Sequence, residues 1–136
     1  MTKFEVRTAM AEETIDITDQ VAAAAAGSGL AEGALLVWCP HTTAAIFVNE
    51  GHDPDVLHDI AMVLGRLVPG GLQYLHGEGN SPAHLKSLLG GCSVTIPVFD
   101  GRLALGTWQR VFFAEFDGPR VRQVWVQPLA GAVKGV

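Results

Sequence analysis

All five histidines of the chain fall between positions 41 and 84. Imidazole is the side chain that both holds borderline divalent ions and moves protons near neutral pH. His41 stands where an apolar run exits, His76 in a glycine-rich stretch, and His84 just after Ser81-Pro82, a helix-opening pair. A strand exit, a loop and a helix N-terminus are places from which side chains converge on a pocket. Three imidazoles there would hold a divalent ion, zinc being well suited, with a fourth position open to water. The separations among the three match no compact metal signature, so a hydrogen-bonded structural role also suits each of them taken alone. His52 and His58 flank or sit on an amphipathic segment, where solvated or packing roles fit at least as well.

Carboxylates and amides stand close by. Glu50 ends an apolar run, and a partly desolvated carboxylate there would have a raised pKa and serve as general base beside a metal-bound water. Asp53 has a sufficient role as a helix cap, while Asp59 either orients a ligating histidine or faces water. Trp108 and Gln109 point to opposite faces of a strand expected over Thr107–Phe116; Gln109 could bond a heterocycle or simply pair with its neighbour. Lys86, Arg110, Arg120 and Arg122 are the cations available for a phosphate, and the helix start at Ser81 offers backbone N–H groups for the same task. No P-loop, dinucleotide fingerprint, nucleophile elbow or catalytic Cys/His signature is present, which argues against ATP hydrolysis, hydride transfer and covalent acyl transfer.

The elements that must position these groups can be read from periodicity. Phe4–Thr8 alternates as a half-exposed strand, and a second short strand follows around Thr14–Ile17. Thr18 or Asp19 can cap a helix through the Ala22–Ala26 run, stopped by Gly27-Ser28-Gly29. Ala34–Cys39 and Ala44–Val48 are apolar in the manner of covered strands. The clearest helix starts at Asp53-Pro54 and repeats Val56, Leu57, Ile60, Val63, Leu64 and Leu67 at three and four residues. Another opens at Ser81 and ends at Gly90-Gly91. Strands then follow over Ser93–Val98, Arg102–Leu105, Thr107–Phe116 and Val121–Gln127, with turns at Asp100-Gly101 and Asp117-Gly118-Pro119. One domain over residues 1–136 is the simplest organisation.

Composition sets the outer bounds. Of 136 residues 49% are hydrophobic and 17% charged, enough for one core and too little charge for a fully solvated surface, so self-association is expected. A net charge of −5 offers no general attraction to nucleic acid or an anionic membrane. No apolar run is long enough to span a bilayer and the N-terminus lacks a leader-like apolar core, so a cytoplasmic protein is expected. Cys39 and Cys92 lie in apolar strand-like runs and are expected as buried free thiols.

Taken in order, the motifs His41-Thr42-Thr43-Ala44-Ala45-Ile46, Asn49-Glu50, Asp53-Pro54, His58-Asp59, Tyr74 with His76, Asn80, Ala83-His84-Leu85-Lys86-Ser87, Leu105-Gly106-Thr107-Trp108-Gln109 and Asp117-Gly118-Pro119-Arg120 resemble the YjbQ-like family, often called secondary thiamine-phosphate synthases. The resemblance runs from about residue 4 to 127. It implies an α+β fold, a mostly antiparallel sheet curled into a half-barrel with about three helices, and a homotrimer with its pocket near the subunit boundary. Carried over by position, the implied metal ligands are His41, His76 and His84, with Asn49, Glu50, Asp59 and Gln109 as nearby polar groups. Gly77-Glu78-Gly79 departs from the aspartate that many members carry directly after the second histidine. The implied activity joins a hydroxymethylpyrimidine diphosphate to a thiazole phosphate with release of diphosphate. Lys86 and Arg120 would then bind substrate and, with the ion, stabilise the leaving charge. Two other readings stand beside it: hydrolysis by a metal-bound water activated by Glu50, and a non-enzymatic trimeric module binding a metal or small ligand.

Overall fold

The computed structural model describes residues 1–131. The elements are β1 (Thr2–Arg7), β2 (Glu13–Asp16), α1 (Thr18–Gly27), β3 (Gly33–Trp38), β4 (Ala44–Glu50), α2 (Pro54–Leu67), α3 (Ser81–Gly90), β5 (Ser93–Phe99), β6 (Arg102–Leu103), β7 (Gln109–Glu115) and β8 (Val121–Ala130). The larger sheet has strand order β1-β8-β3-β5-β6 and the smaller β2-β7-β4, with antiparallel pairing throughout. The expected class is the one observed: an α+β domain with a curled half-barrel sheet and three helices.

Strand alternation decides what lies between the sheets. Leu35 and Val37 of β3, Ile96 and Val98 of β5, and Val124 and Val126 of β8 face inward from the larger sheet. Ala44, Ile46, Val111 and Phe113 answer them from the smaller one, and Val21, Ala24 and Ala25 of α1 close the side. Each fully buried valine, leucine, isoleucine or phenylalanine of this kind contributes roughly 1.5–3 kcal/mol. The outer face of the smaller sheet carries α3, which can sit close because Gly90 has no side chain; a Cβ there would fall 2.7 Å from that of Ala45.

Local signals explain the helix boundaries with one correction. Asp53 caps α2, its carboxylate accepting the Asp55 N–H at 2.9 Å ahead of Pro54 in the first turn. Neither Thr18 nor Asp19 caps α1: the Asp16 carboxylate takes the Thr18 N–H at 2.9 Å, and the Thr18 hydroxyl instead accepts the Val111 N–H at 2.8 Å. Tertiary demand from β7 outweighs the local capping role. Although α2 has the expected apolar stripe, none of its residues is buried; Leu57, Ile60 and Leu64 face Phe47 and Phe116 across a cavity of about 380 Å³.

Several strand limits also shift, three of them with clear causes. β6 stops at Leu103, where Ala104 bonds back to the Pro97 carbonyl at 2.9 Å. Thr107 and Trp108 belong to the turn before β7, because the Gly106 N–H is taken by the Gln109 side chain at 2.8 Å. β8 runs on to Ala130 because Gly33 and Ala34 of β3 pair with its far end. Cys39 is buried as expected, but Cys92 is exposed, in the turn ahead of β5.

Candidate functional site

Where β4 begins and β7 ends, three loops meet over the rim of both sheets. His41, from the β3 exit, His76, from the loop before α3, and His84, from the first turn of α3, line one recess of about 410 Å³. The His76 and His84 rings meet edge-on, with centroids 5.3 Å apart and planes at 81°. His41 is engaged differently. Gln123 lies on β8 beyond its last pairing with β3, at Trp38–Trp125, and its free N–H donates to His41 Nε2 at 2.8 Å. A nitrogen that accepts carries its lone pair, so this ring is neutral with its proton on Nδ1. Burial first, and Arg122 second, hold the His41 pKa below its ordinary value.

Beneath the recess lies an ion pair that the sequence reading did not single out. Glu115 is 0% exposed and Arg122 6%, and the guanidinium grips the carboxylate through two bonds, Nε to Oε2 at 2.7 Å and Nη2 to Oε1 at 2.5 Å. The Thr8 hydroxyl and the Asp117 N–H add bonds of 3.1 and 3.0 Å to the same carboxylate. Arg122 Nη2 also donates to the Thr43 hydroxyl at 2.7 Å, two residues from His41. Burial pushes the Glu115 pKa up, but the Arg122 and Asp117 hydrogen bonds outweigh it and leave the group below its ordinary value. The pair thereby pins the loop carrying His41 to the turn carrying Arg120. Gly118 in that turn has no room for a side chain, since a Cβ would meet the Met10 carbonyl, Glu115 and Thr8. The sequence signal was present: a carboxylate inside Phe112-Phe113-Ala114-Glu115-Phe116 and an arginine at an inward position of Val121–Val126.

Every cation named for phosphate binding is already paired. Arg120 donates to the Asp117 carboxylate at 2.9 Å and to its carbonyl at 2.7 Å. Arg122 is held by Glu115, and Arg110 by Asp16 at 2.7 Å with Asp19 at 3.4 Å. Lys86 does not reach the recess; it is 6% exposed, lines the cavity under α2, and pairs with Glu12 at 2.5 Å. Its place three residues along from the buried Ala83 puts it on the same helix face, toward the sheet rather than toward His84. Asp117 stays ionised: the Asn80 side-chain hydrogen bond, at 2.9 Å, and Arg120 lower its pKa against some burial. Asn80 Oδ1, in contrast, is buried with no partner. What the recess presents is therefore mainly acceptors, two imidazoles and Glu78, with the buried and unpartnered Asn80 Oδ1 close behind them.

That inventory suits a cation. Two imidazoles on one tetrahedral zinc, with Zn–N near 2.0–2.1 Å, have ring centres roughly 5 Å apart. The His76–His84 separation matches this, whereas His41 could join only by giving up the Gln123 N–H. Among the described residues, no three His, Cys, Asp or Glu side chains already converge on one point.

The other polar residues lie elsewhere. Glu50 and Gln109 pair across β4 and β7 at the end opposite Ala44 and Glu115, six residues away, or roughly 20 Å at ~3.4 Å per residue. Glu50 accepts the His52 and Asp53 N–H groups at 3.2 and 3.0 Å, and Asn49 accepts the Glu50 N–H at 2.7 Å. Gln109 is bound to its own turn, and Asp59 is exposed beside His58, 3.4 Å away. Within one chain, none of Asn49, Glu50, Asp59 and Gln109 lines the histidine recess.

Comparison with known proteins gives a consistent relationship. The family model described as UPF0047 protein YjbQ-like matches residues 2–131. A UPF0047 protein of Methanocaldococcus jannaschii is 48% identical over 92% of this chain and 91% of its own length. YugU of Bacillus subtilis, likewise a UPF0047 protein, is 44% identical over 91% and 95%. Among solved structures, a YjbQ/UPF0047 protein from Clostridium acetobutylicum superposes with a TM-score of 0.92 at 45% identity, covering 95% of this chain and all of the other. A conserved protein of Thermus thermophilus gives 0.87 at 47% identity, over 95% and 100%.

Proposed function

The chain belongs to the YjbQ-like UPF0047 family, and on that premise we propose that its histidine recess binds a divalent ion, zinc by ligand type, and uses it to act on a phosphorylated small molecule. One observation carries this reading: His76 and His84 stand edge-on at 5.3 Å in a recess whose arginines are both neutralised by carboxylates. A phosphate entering it alone would find no free positive charge, so a cation must come first. His76 and His84 hold the ion, with His41 and Asn80 Oδ1 at hand to complete the set. When bound, the ion supplies positive charge to phosphate oxygens. Arg120, half-exposed at the mouth, keeps N–H groups for the substrate's phosphate.

The reaction that fits is transfer with loss of diphosphate, of the thiamine-phosphate synthase type. A thiazole nitrogen attacks the methylene of the pyrimidine diphosphate, the C–O bond breaks, and diphosphate leaves with the electron pair. Arg120 would stabilise that leaving charge with the N–H groups not spent on Asp117. Hydrolysis driven by Glu50 finds less support, because Glu50 lies at the other end of the sheet. A cytoplasmic homotrimer is part of the same reading, and the uncovered stripe of α2 supports its self-association.

Calorimetric titration with zinc tests the site: one ion per chain is expected, with binding lost in His76→Ala and His84→Ala. No uptake by the unaltered protein would overturn the reading. Incubating metal-loaded protein with the two substrate halves tests the reaction separately; absence of thiamine phosphate would remove the transferase assignment alone.

A further inference from the structure

Beside the recess, two cysteines that the proposed chemistry does not use face each other across a sheet. The β3–β5 ladder ends with Trp38 opposite Ser93, and the Cys39 N–H continues it by donating to the Cys92 carbonyl at 2.7 Å. Cys39 and Cys92 are thus the next directly opposed pair. By alternation they fall in the row that continues Leu35–Ile96 and Val37–Val94, with Cys39 buried and Cys92 exposed at the rim. A hydrogen-bonded antiparallel pair has Cα atoms about 5.5 Å apart. Disulfides span roughly 4.4–6.8 Å between Cα atoms.

We propose that Cys39 and Cys92 form a reversible thiol–disulfide site, oxidised by small-molecule disulfides, that couples the redox state of the surroundings to the histidine recess. The exposures of the two thiols fix the order of events. Cys92 is exposed and Cys39 only 2% exposed, so the incoming disulfide meets Cys92 first. The Cys92 thiolate attacks one sulfur, forming a mixed disulfide and releasing one thiol. Cys39 then loses its proton, attacks Cys92 Sγ and releases the second thiol. Two protein thiols are oxidised by two electrons, one disulfide is reduced, and the protein's two protons end on the released thiols. Opposed Cβ atoms in hydrogen-bonded pairs stand wider than the roughly 3.5–4.5 Å of disulfides, so closing the bond must draw the Cys92 turn toward β3, and the product is strained and readily reduced.

The coupling is topological. Cys39 precedes His41 by two residues, its Sγ lies 3.9 Å from the His41 carbonyl, and Cys92 follows the last residue of α3, which carries His84, by two. The cross-link would bind the β3 exit to the C-terminal end of α3, fixing two of the three histidine-bearing segments to each other.

The test is oxidation of the folded, full-length chain with oxidised glutathione, followed by intact-mass and peptide analysis. The expected product is lighter by two hydrogen atoms, carries no glutathione, and yields a cross-linked peptide joining Cys39 to Cys92. Cys39→Ala should stop at a glutathione adduct on Cys92, and Cys92→Ala should remain unmodified while folded. Three results in the unaltered chain would overturn the proposal: a persistent adduct on Cys92 with Cys39 free, two chains joined through Cys92, or no reaction at all. The parent chain's product decides the matter even where the buried Cys39→Ala variant folds poorly.

Discussion

The two ends of the β2-β7-β4 sheet carry similar polar side chains and use them in opposite ways. At the Ala44–Glu115 end, Glu115, Arg122, Thr8 and Thr43 form one connected buried network under His41, His76 and His84. At the Glu50–Gln109 end, Asn49, Glu50 and Gln109 each satisfy backbone N–H groups within three residues of themselves. The first arrangement orients loops distant in sequence, and the second only closes its own turns. Polar residues in a family motif therefore need not share one pocket within one chain.

The largest effect expected is at the network. Glu115→Ala leaves the Arg122 guanidinium buried without its carboxylate and should cost about 3–5 kcal/mol, read from urea unfolding. If the loss were under about 1 kcal/mol, as for an exposed pair, the contrast between the two ends would fail. Next comes His84→Ala, which on the proposed reading should weaken zinc binding by on the order of 100-fold or more while unfolding stability changes little, since the removed ring is not part of the core. Unaltered affinity would move the ion away from the histidine end.

Acid should expose the same difference. Glu115 has a folded pKa below its ordinary 4.5, so its contribution is fully present above that value and is lost as the pH falls through the folded value. The unaltered chain should lose stability steeply below about pH 4.5. Glu115→Gln should flatten that part of the curve. The smallest effects belong to the turn end. Glu50→Gln and Gln109→Ala should each cost about 1 kcal/mol or less and leave zinc affinity within twofold, by analogy with exposed hydrogen bonds worth ~0.5–1.5 kcal/mol. A collapse of turnover in Glu50→Gln with zinc affinity intact would sharpen the picture in another way, by indicating that the turn end of one copy meets the histidine end of another.

Much of the fold is legible in the sequence because it is written in local terms. Asp53-Pro54 and the three-and-four spacing through Leu67 define α2 without reference to the rest of the chain. Asp100-Gly101 turns β5 into β6 because both residues accept positive φ, 50° and 71°. Alternation identifies which faces of β3, β5 and β8 turn inward. The clustering of the histidines marks the region of the site, and the family resemblance selects the three that do line one recess.

Tertiary structure decides what depends on neighbours remote in sequence. Whether Thr18 caps its helix or serves β7 is settled by Val111, 93 residues away. Lys86 reads as a free cation until Glu12, 74 residues earlier, is brought beside it. His41 reads as a free ligand until the unpaired Gln123 N–H, 82 residues on, reaches its Nε2. Sequence fixes which groups can hydrogen-bond and which local conformations they prefer. Burial forces each polar group to find a partner, and which partner it finds is a property of the folded chain.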